Sequence, residues 1–543
     1  MKSCISICLA ILLTFELSAQ PLSSSNLPLI IINTNGQVIP DDPKITADMG
    51  IIFNANNARN NITDPYNHYN GKIGIEVRGQ SSQSFPMKSY SIELRDALGN
   101  SQDKTLFGLP KESDWVLYAP YTDKTLMRNF LAYTLSNEMG HWAAHCKFVE
   151  VVINGDYKGI YVFMEKIKRS TGRLGLTKMP VTDISGDAVT GGYIFSLDKE
   201  PNGWFSSFQV PNATNVITRQ YSYVYPKPED IVPAQKDYIK ALVDSFERAA
   251  ASDAFQDNIV GVRHFIDIPS FVDYMIVNEV SRNVDGYRLS SFFYKDRNSK
   301  NSKIFAGPVW DYDLAYRNAN YCNGALTSGW AMDINYVCPG DGAGLIPFYW
   351  YKLANEDTAF RGSLLCRWKS LRSTSLSVNH LNYLIDSIVT LTAEAQLRHF
   401  QRWPVLGSYI WPNPSPIATT YYGEINYLKQ WLQERLQWID ANLANTGPCA
   451  KVPTDEEKSF VPTIYPNPII SQLSLQIKTK MNQEVSLQIM NAIGQKMNIQ
   501  KIAVIRGDNL ITNIKTNNWS AGFYYFFFTN QSGEQVIKKV FKQ

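Results

Sequence analysis

The sequence predicts an α+β protein in three parts: a strand-rich lobe, a mainly helical lobe with a short strand pair set into it, and a small antiparallel β-sandwich at the end. Three observations point this way. Apolar and polar residues alternate through much of residues 27–95, as half-buried strands require. After Pro233 the apolar period lengthens to that of a helix. Beyond a polar stretch with three prolines, clean alternation returns and runs to the C-terminus.

Each element follows in order. "LPLIIINTNGQVIP" is an apolar run broken by Asn-Gly, a hairpin signal. "GKIGIEVRGQSSQSFPMKSYSIELRD" holds two strands joined by a Ser-rich loop. "TLMRNFLAYTLSNEMG" is a helix that stops at Gly140, a residue free to turn left-handed. "FVEVVINGDYKGIYVFMEKI" is a hairpin around "NGDYKG". "AQKDYIKALVDSFERAA" and "IPSFVDYMIVNEVSRN" are helices. Strands are expected at "SSFFYKD" and "KIFAGPVWDYDLAY", and helices from about Phe348 to Leu443. Residues 446–462 read as a linker. In the last part Leu473, Leu475 and Ile477, then Val485, Leu487 and Ile489, share one face of their strands. Residues 462–543 carry nine basic residues against three acidic.

Composition bounds the function. The chain has 543 residues, room for one large domain and a smaller one. It is 44% hydrophobic and 19% charged, which fits a globular protein. Its 52 basic and 49 acidic residues leave a net charge of +3, so no nucleic-acid partner is expected. "MKSCISICLAILLTFELSAQ" has a basic start, an apolar centre and a small-residue exit, and reads as a signal peptide over residues 1–20. No later apolar run reaches spanning length, so no integral membrane segment is expected. Of the later cysteines, Cys322 and Cys338 bracket a Gly-, Asn- and Asp-rich loop and are the best bridge pair for an exported protein. The cysteine spacings fit no zinc pattern.

The chemistry concentrates in "GPVWDYDLAY", residues 307–316. As a strand it puts Asp311 and Asp313 on one face, and Trp310, Tyr312 and Leu314 on the other. Paired carboxylates in apolar surroundings are costly unless something binds them, so both are candidate metal ligands. A structural calcium is a rival to a catalytic ion. Upstream, Asp285 follows a helix and precedes a strand. Helix, loop aspartate, strand, turn and second aspartate is the order that protein kinases use. That chemistry also needs a lysine paired with a glutamate in the sheet-rich lobe, and Lys88 and Glu165 are the candidates. Arg78, Ser81 and Ser82, in the loop between two strands, can donate to phosphate oxygens. A lone Lys or Glu on a strand is more often a solvated face and "RGQSS" a plain hairpin loop, while the Asp311 pair is a sharper signal because its aromatic surroundings suggest burial; the fixed order of all the elements carries the reading. A hydrolase that uses Asp285 and Asp311 as paired carboxylates is a further possibility.

These residues lie in a set of longer strings: "GIEVRGQSSQSFPMKSYSIELRD", "LFGLPKESDWVLYAPYTDKTLMRN", "NGDYKGIYVFMEKIKR", "VDGYRLSSFFYKD" and "GPVWDYDLAYRN". Together, and in this order, they closely resemble the CotH family of spore-coat-protein-H-like atypical kinases. The resemblance covers roughly residues 27–440. It implies a two-lobed atypical kinase-like domain over residues 21–445, with ATP and Mg²⁺ or Mn²⁺ as cofactors. The implied reaction moves the γ-phosphate to serine hydroxyls of a protein substrate. By position Asp285 matches the catalytic aspartate and Asp311 the metal-binding one, while Lys88 and Glu165 match the nucleotide-anchoring pair. Kinases place asparagine five residues after the catalytic aspartate; here that position is Ser290, and Asp313 is the residue able to compensate. The alternative is a non-catalytic surface protein that keeps the fold to bind glycans or partners, which the 13% aromatic content would suit.

The tail has its own resemblance. "IYPNPIISQLSLQI", "MNAIGQKM" and "WSAGFYYFFFTNQSGEQVIKKVFKQ" look like a type A C-terminal sorting domain of the type IX secretion system in Bacteroidota, over residues 463–543. That implies the secretion machinery as a partner, export through the outer membrane, and a secreted or cell-surface location.

Overall fold

The computed structural model describes residues 22–199, 202–209, 218–339, 344–443, 449, 459–465, 469, 471–491, 496–520, 522–531 and 534–542. The signal-peptide segment and most of the linker lie outside these residues. The chain divides into two compact units, Met1–Gly447 and Pro448–Gln543.

In the first unit seven strands close into a barrel. In order around it they are Leu29–Asn33, Ile45–Ile52, Tyr69–Arg78, Ser89–Arg95, Asp114–Tyr118, Asp156–Glu165 and Cys146–Ile153. Six of the pairings are antiparallel. The seam, Leu29 opposite Glu150, is parallel. Closure leaves no open edge. Alternation sorts the side chains: Ile73, Ile75, Ile92, Leu94, Trp115, Leu117 and Phe163 fill the barrel. Val116, Val162 and Met164, on the intervening positions, join the core shared with the helices.

The Asn-Gly turn forms, with Asn35 at φ 54° and Gly36 at φ 80°, and with the Gln37 N–H donating to Thr34 O at 3.1 Å. Its partner strand starts later than the hairpin signal implies, at Ile45. Pro40 and Pro43 supply no N–H for a ladder between them. The second hairpin is as expected, Cys146–Ile153 with Asp156–Glu165. The helix Arg128–Glu138 opens where the Asp123 carboxylate accepts from the N–H groups of Thr125 (3.0 Å) and Arg128 (2.8 Å). It ends at Gly140, φ 98°.

The helices expected after Pro233 form as Pro233–Ala251 and Ile268–Ser281. Later helices include Thr358–Arg372, Val378–Thr392 and Tyr421–Asn442. Ile268–Ser281 is buried on nearly every side. The strand Ser291–Lys295 and the two-residue Phe305–Ala306 belong to a five-stranded antiparallel sheet. Its other strands are Tyr193–Leu197, Gly203–Gln209 and Thr218–Tyr225.

One expectation is overturned. Residues 307–316 are not a strand. Pro308 has no N–H to give a ladder, and Asp311 sits at φ 64°, which no strand residue adopts. Cys322 and Cys338 form the expected disulfide, with Cα atoms 5.2 Å apart. Among the described residues Cys146 is a free thiol.

The second unit has two antiparallel sheets around one apolar core. Leu473, Leu475, Ile477, Val485, Leu487 and Ile489 all point into it. Its first strand, Phe460–Tyr465, starts inside the stretch read as linker. It is an edge strand, where Pro462 is tolerated.

Candidate functional site

A cavity of about 1110 Å³ opens against the outer face of the barrel. Arg78, Val116, Tyr118 and Met164 reach it from the barrel strands, and Asn129 and Tyr133 from the helix Arg128–Glu138. Asp285, Leu289 and Ser290 come from the loop after Ile268–Ser281; Trp310, Asp311 and Asp313 come from the irregular acidic segment.

That segment is held by side chains on two helices. The Asp311 N–H donates to Tyr133 Oη at 3.1 Å, and the Tyr312 N–H to Asn129 Oδ1 at 2.6 Å. Tyr312 Oη donates to Asn278 Oδ1 at 2.9 Å, and the Tyr316 N–H to Ser281 O at 2.7 Å. The Trp310 ring stacks on Tyr133 at 5.9 Å. The Asn318 amide donates to Asp313 O at 2.8 Å. Both aspartates therefore reach one cavity through a fixed turn rather than through strand alternation. Tyr312 turns into the core while Trp310 and Leu314 stay at the cavity.

The electrostatics follow from this packing. Asp311 is open to water within the cavity, yet the surrounding protein withholds bulk solvation. Burial pushes its carboxyl up, while Arg78 and Lys199 pull it back, and it shares hydrogen bonds with Asp313 and Ser290. Asp313 is raised further, by burial first and then by the charges of Asp311, Asp285 and Asp123. Adjacent carboxyl groups in this setting keep a proton between them until a cation takes its place. The Arg78 guanidinium lies 5.6 Å from the Trp310 ring centre, and its buried Nη1 has no hydrogen-bond partner among the described residues. Asp285 Oδ1 lies 3.8 Å from an Arg288 nitrogen. Among the described residues no cluster of three or more His, Cys, Asp or Glu is arranged to hold a metal by protein ligands alone. Two carboxylates plus ligand oxygens are the donor set that magnesium ordinarily takes.

Arg78, Ser81, Ser82, Asp285, Ser290, Asp311 and Asp313 all line this cavity. Gly79 sets the loop that carries the serines: its φ is 95°, and a Cβ there would fall 2.0 Å from Ser82 Oγ. Lys88 and Glu165 are not among the lining residues, and they do not pair with each other. Alternation explains Glu165: its strand neighbour Met164 faces the cavity, so Glu165 turns away, whereas Lys88 lies just ahead of the strand that begins at Ser89. Lys88 Nζ donates to Gln83 O and so braces the Ser-rich loop. Glu165 is buried, with the His145 N–H at 3.0 Å, His145 Nδ1 at 2.7 Å and Arg173 Nε at 3.7 Å.

Tyr118, Asn129, Tyr133 and Lys199 were not legible as site residues. Asn129 and Tyr133 did carry a signal: polar atoms four apart on one face of an otherwise apolar helix. Lys199, whose charge acts on Asp311, carried none.

Two family matches and one curated relative say what the chain is similar to. A family described as "CotH kinase protein" matches residues 75–439, and one described as "Secretion system C-terminal sorting domain" matches residues 463–543. "Inner spore coat protein H" of Bacillus subtilis (strain 168) is 24% identical over 244 residues, covering 45% of this chain and 59% of that protein. The chain thus spans about three-fifths of the length of the curated relative it matches. With the family match covering well over half of its residues, the chain belongs to the CotH kinase protein family and carries a secretion-system sorting domain at its C-terminus.

Proposed function

We propose that this protein is a secreted or surface-displayed kinase that transfers the γ-phosphate of ATP to serine hydroxyls of a protein substrate, with Mg²⁺ or Mn²⁺ as the metal. One observation carries the reading: a single cavity holds the raised carboxyls of Asp311 and Asp313, with Asp285 beside them, and a buried guanidinium nitrogen of Arg78 without an acceptor among the described residues. The carboxylates call for a cation and the guanidinium for an anion. A metal complex of a polyphosphate answers both.

In this reading the barrel and the helical region are the two lobes of a kinase-like arrangement. Asp311 and Asp313 hold the metal, which neutralises phosphate charge when bound. Ser290, hydrogen-bonded to Asp311, stands where kinases have asparagine and steadies that carboxylate. Arg78 and the loop with Ser81 and Ser82 receive the phosphates, and Lys88 acts on them indirectly by bracing the loop. Asp285 orients the acceptor hydroxyl and accepts its proton as the oxygen bonds to phosphorus and ADP leaves.

The sorting domain supports a secreted or cell-surface location and handling by the type IX machinery. Among the described residues no helix is long and apolar enough to cross a membrane. The test is incubation of the purified full chain with γ-labelled ATP, Mg²⁺ or Mn²⁺ and a serine-containing peptide library. Phosphoserine identified by mass spectrometry, on the chain or on peptides, supports the reading. Binding of the nucleotide complex with no transfer at any metal concentration favours the non-catalytic alternative.

A further inference from the structure

Tyr118 ends the barrel strand Asp114–Tyr118. Trp115 and Leu117 point into the barrel, so Val116 and Tyr118 face outward, onto the cavity. The strand end is fixed, since the adjoining Ala119 N–H donates to Ser89 Oγ at 2.9 Å. Tyr118 Oη is buried and has no hydrogen-bond partner among the described residues. Buried hydroxyls are rarely left so.

The carboxylates around it are engaged elsewhere. Asp123 accepts from the Thr125 N–H and hydroxyl and pairs with Arg128. Asp311 and Asp313 hydrogen-bond to each other, and Ser290 to Asp311. A phenol keeps its proton at neutral pH, so Tyr118 serves as a donor rather than a base. Among the described residues, the cavity therefore has two buried donors without acceptors, Tyr118 Oη and Arg78 Nη1, beside an acidic cluster. That cluster repels a bare anion. Only an anion that arrives with a divalent cation suits all these groups.

We propose that Tyr118 is a phosphate-binding residue, donating with Arg78 to the oxygens of a metal-bound polyphosphate. This rests on the phosphotransfer reading and adds a residue to it. No bond is made or broken by Tyr118 in this role.

Tyr118→Phe in the full chain tests it, since the ring stays and only the unpaired hydroxyl goes. Three quantities are compared with wild type: affinity for the β,γ-imido analogue of ATP with Mn²⁺ by calorimetry, affinity for Mn²⁺ alone by water-proton relaxation, and the melting temperature without ligand. The expected result is about tenfold or greater loss of affinity for the Mn²⁺ analogue complex, the effect of one hydrogen bond to a charged oxygen. Affinity for Mn²⁺ alone is expected to hold, and the melting temperature to stay the same or rise. Equal binding of the complex by both proteins overturns the role of Tyr118 and leaves the phosphotransfer reading standing. Parallel loss of Mn²⁺ alone, or a lowered melting temperature, also overturns it, because the hydroxyl then serves the acid cluster or the fold. Failure of wild type to bind the complex overturns both readings.

Discussion

The backbone N–H of Asp311 donates to the hydroxyl of Tyr133, 3.1 Å away. A helix side chain thus holds the left-handed turn that carries the principal candidate metal ligand. Tyr133→Phe deletes the acceptor and leaves a part-buried N–H without this partner. The expected cost is about 0.5–1.5 kcal/mol in chemical denaturation, with weaker Mn²⁺ binding. Unchanged values for both would show that the turn is held by other contacts, the Asn129 and Asn278 bonds foremost.

The disulfide gives a second expectation. Cys322 and Cys338 are 16 residues apart, and between them the N–H groups of Ala331 and Met332 donate to the buried Glu279 at 2.7 and 3.0 Å. Replacing both cysteines with serine frees the unfolded chain and is expected to cost about 2–4 kcal/mol. Denaturation of wild type and the double variant without reductant measures it. Peptide mapping without reduction is expected to recover the linked pair.

Glu247 supplies a pH dependence outside the site. It is buried, accepting from Ser206 Oγ at 2.7 Å and Tyr221 Oη at 2.9 Å. Burial raises its carboxyl from 4.5 to about 7, although both hydrogen bonds oppose the shift. A raised acid binds its proton more tightly in the folded chain. Its contribution to stability is therefore full below about pH 4.5 and is lost as pH rises through about 7. The loss is about 3 kcal/mol at 1.36 kcal/mol per pH unit. Glu247→Gln keeps a neutral side chain at every pH. Relative to wild type it is expected to be more stable at pH 8 and nearly equal at pH 4, by urea denaturation at both.

The sorting domain makes a cellular expectation. Deleting residues 463–543 is expected to leave the remaining protein in the periplasm, as fractionation would show. Normal amounts of the truncated protein at the surface would contradict a sorting role.

Much of this was legible wherever one face of an element meets solvent. The alternation around Ile73, Ile75, Ile92 and Leu94 marked two barrel strands, and the helical period marked Pro233–Ala251. Barrel closure was not legible, because Leu29 meets Glu150 across a parallel seam that no local pattern encodes. The strand Tyr193–Leu197 is buried at every residue, so it shows no alternation. At the site, residue type found the acidic cluster, but the aromatic run around Asp311 imitated a strand despite Pro308. Neither Lys88 nor Glu165 lines the cavity: Glu165 is one residue out of register with the cavity-facing Met164, and Lys88 lies just ahead of its strand, where it braces the Ser-rich loop.

The central claim is a division of labour within one cavity: Asp311 with Asp313 serves the metal, and Asp285 serves the acceptor. Calorimetric titration of Mg²⁺ with the β,γ-imido analogue of ATP into wild type, Asp311→Ala and Asp285→Ala tests it most directly. Saturable, metal-dependent binding is expected of wild type, near-wild-type binding of Asp285→Ala, and none of Asp311→Ala. A structural calcium would instead show as a lower melting temperature of Asp311→Ala without nucleotide. Wild type that binds no metal–nucleotide complex, or an Asp311→Ala variant that binds it as well as wild type, would contradict the account.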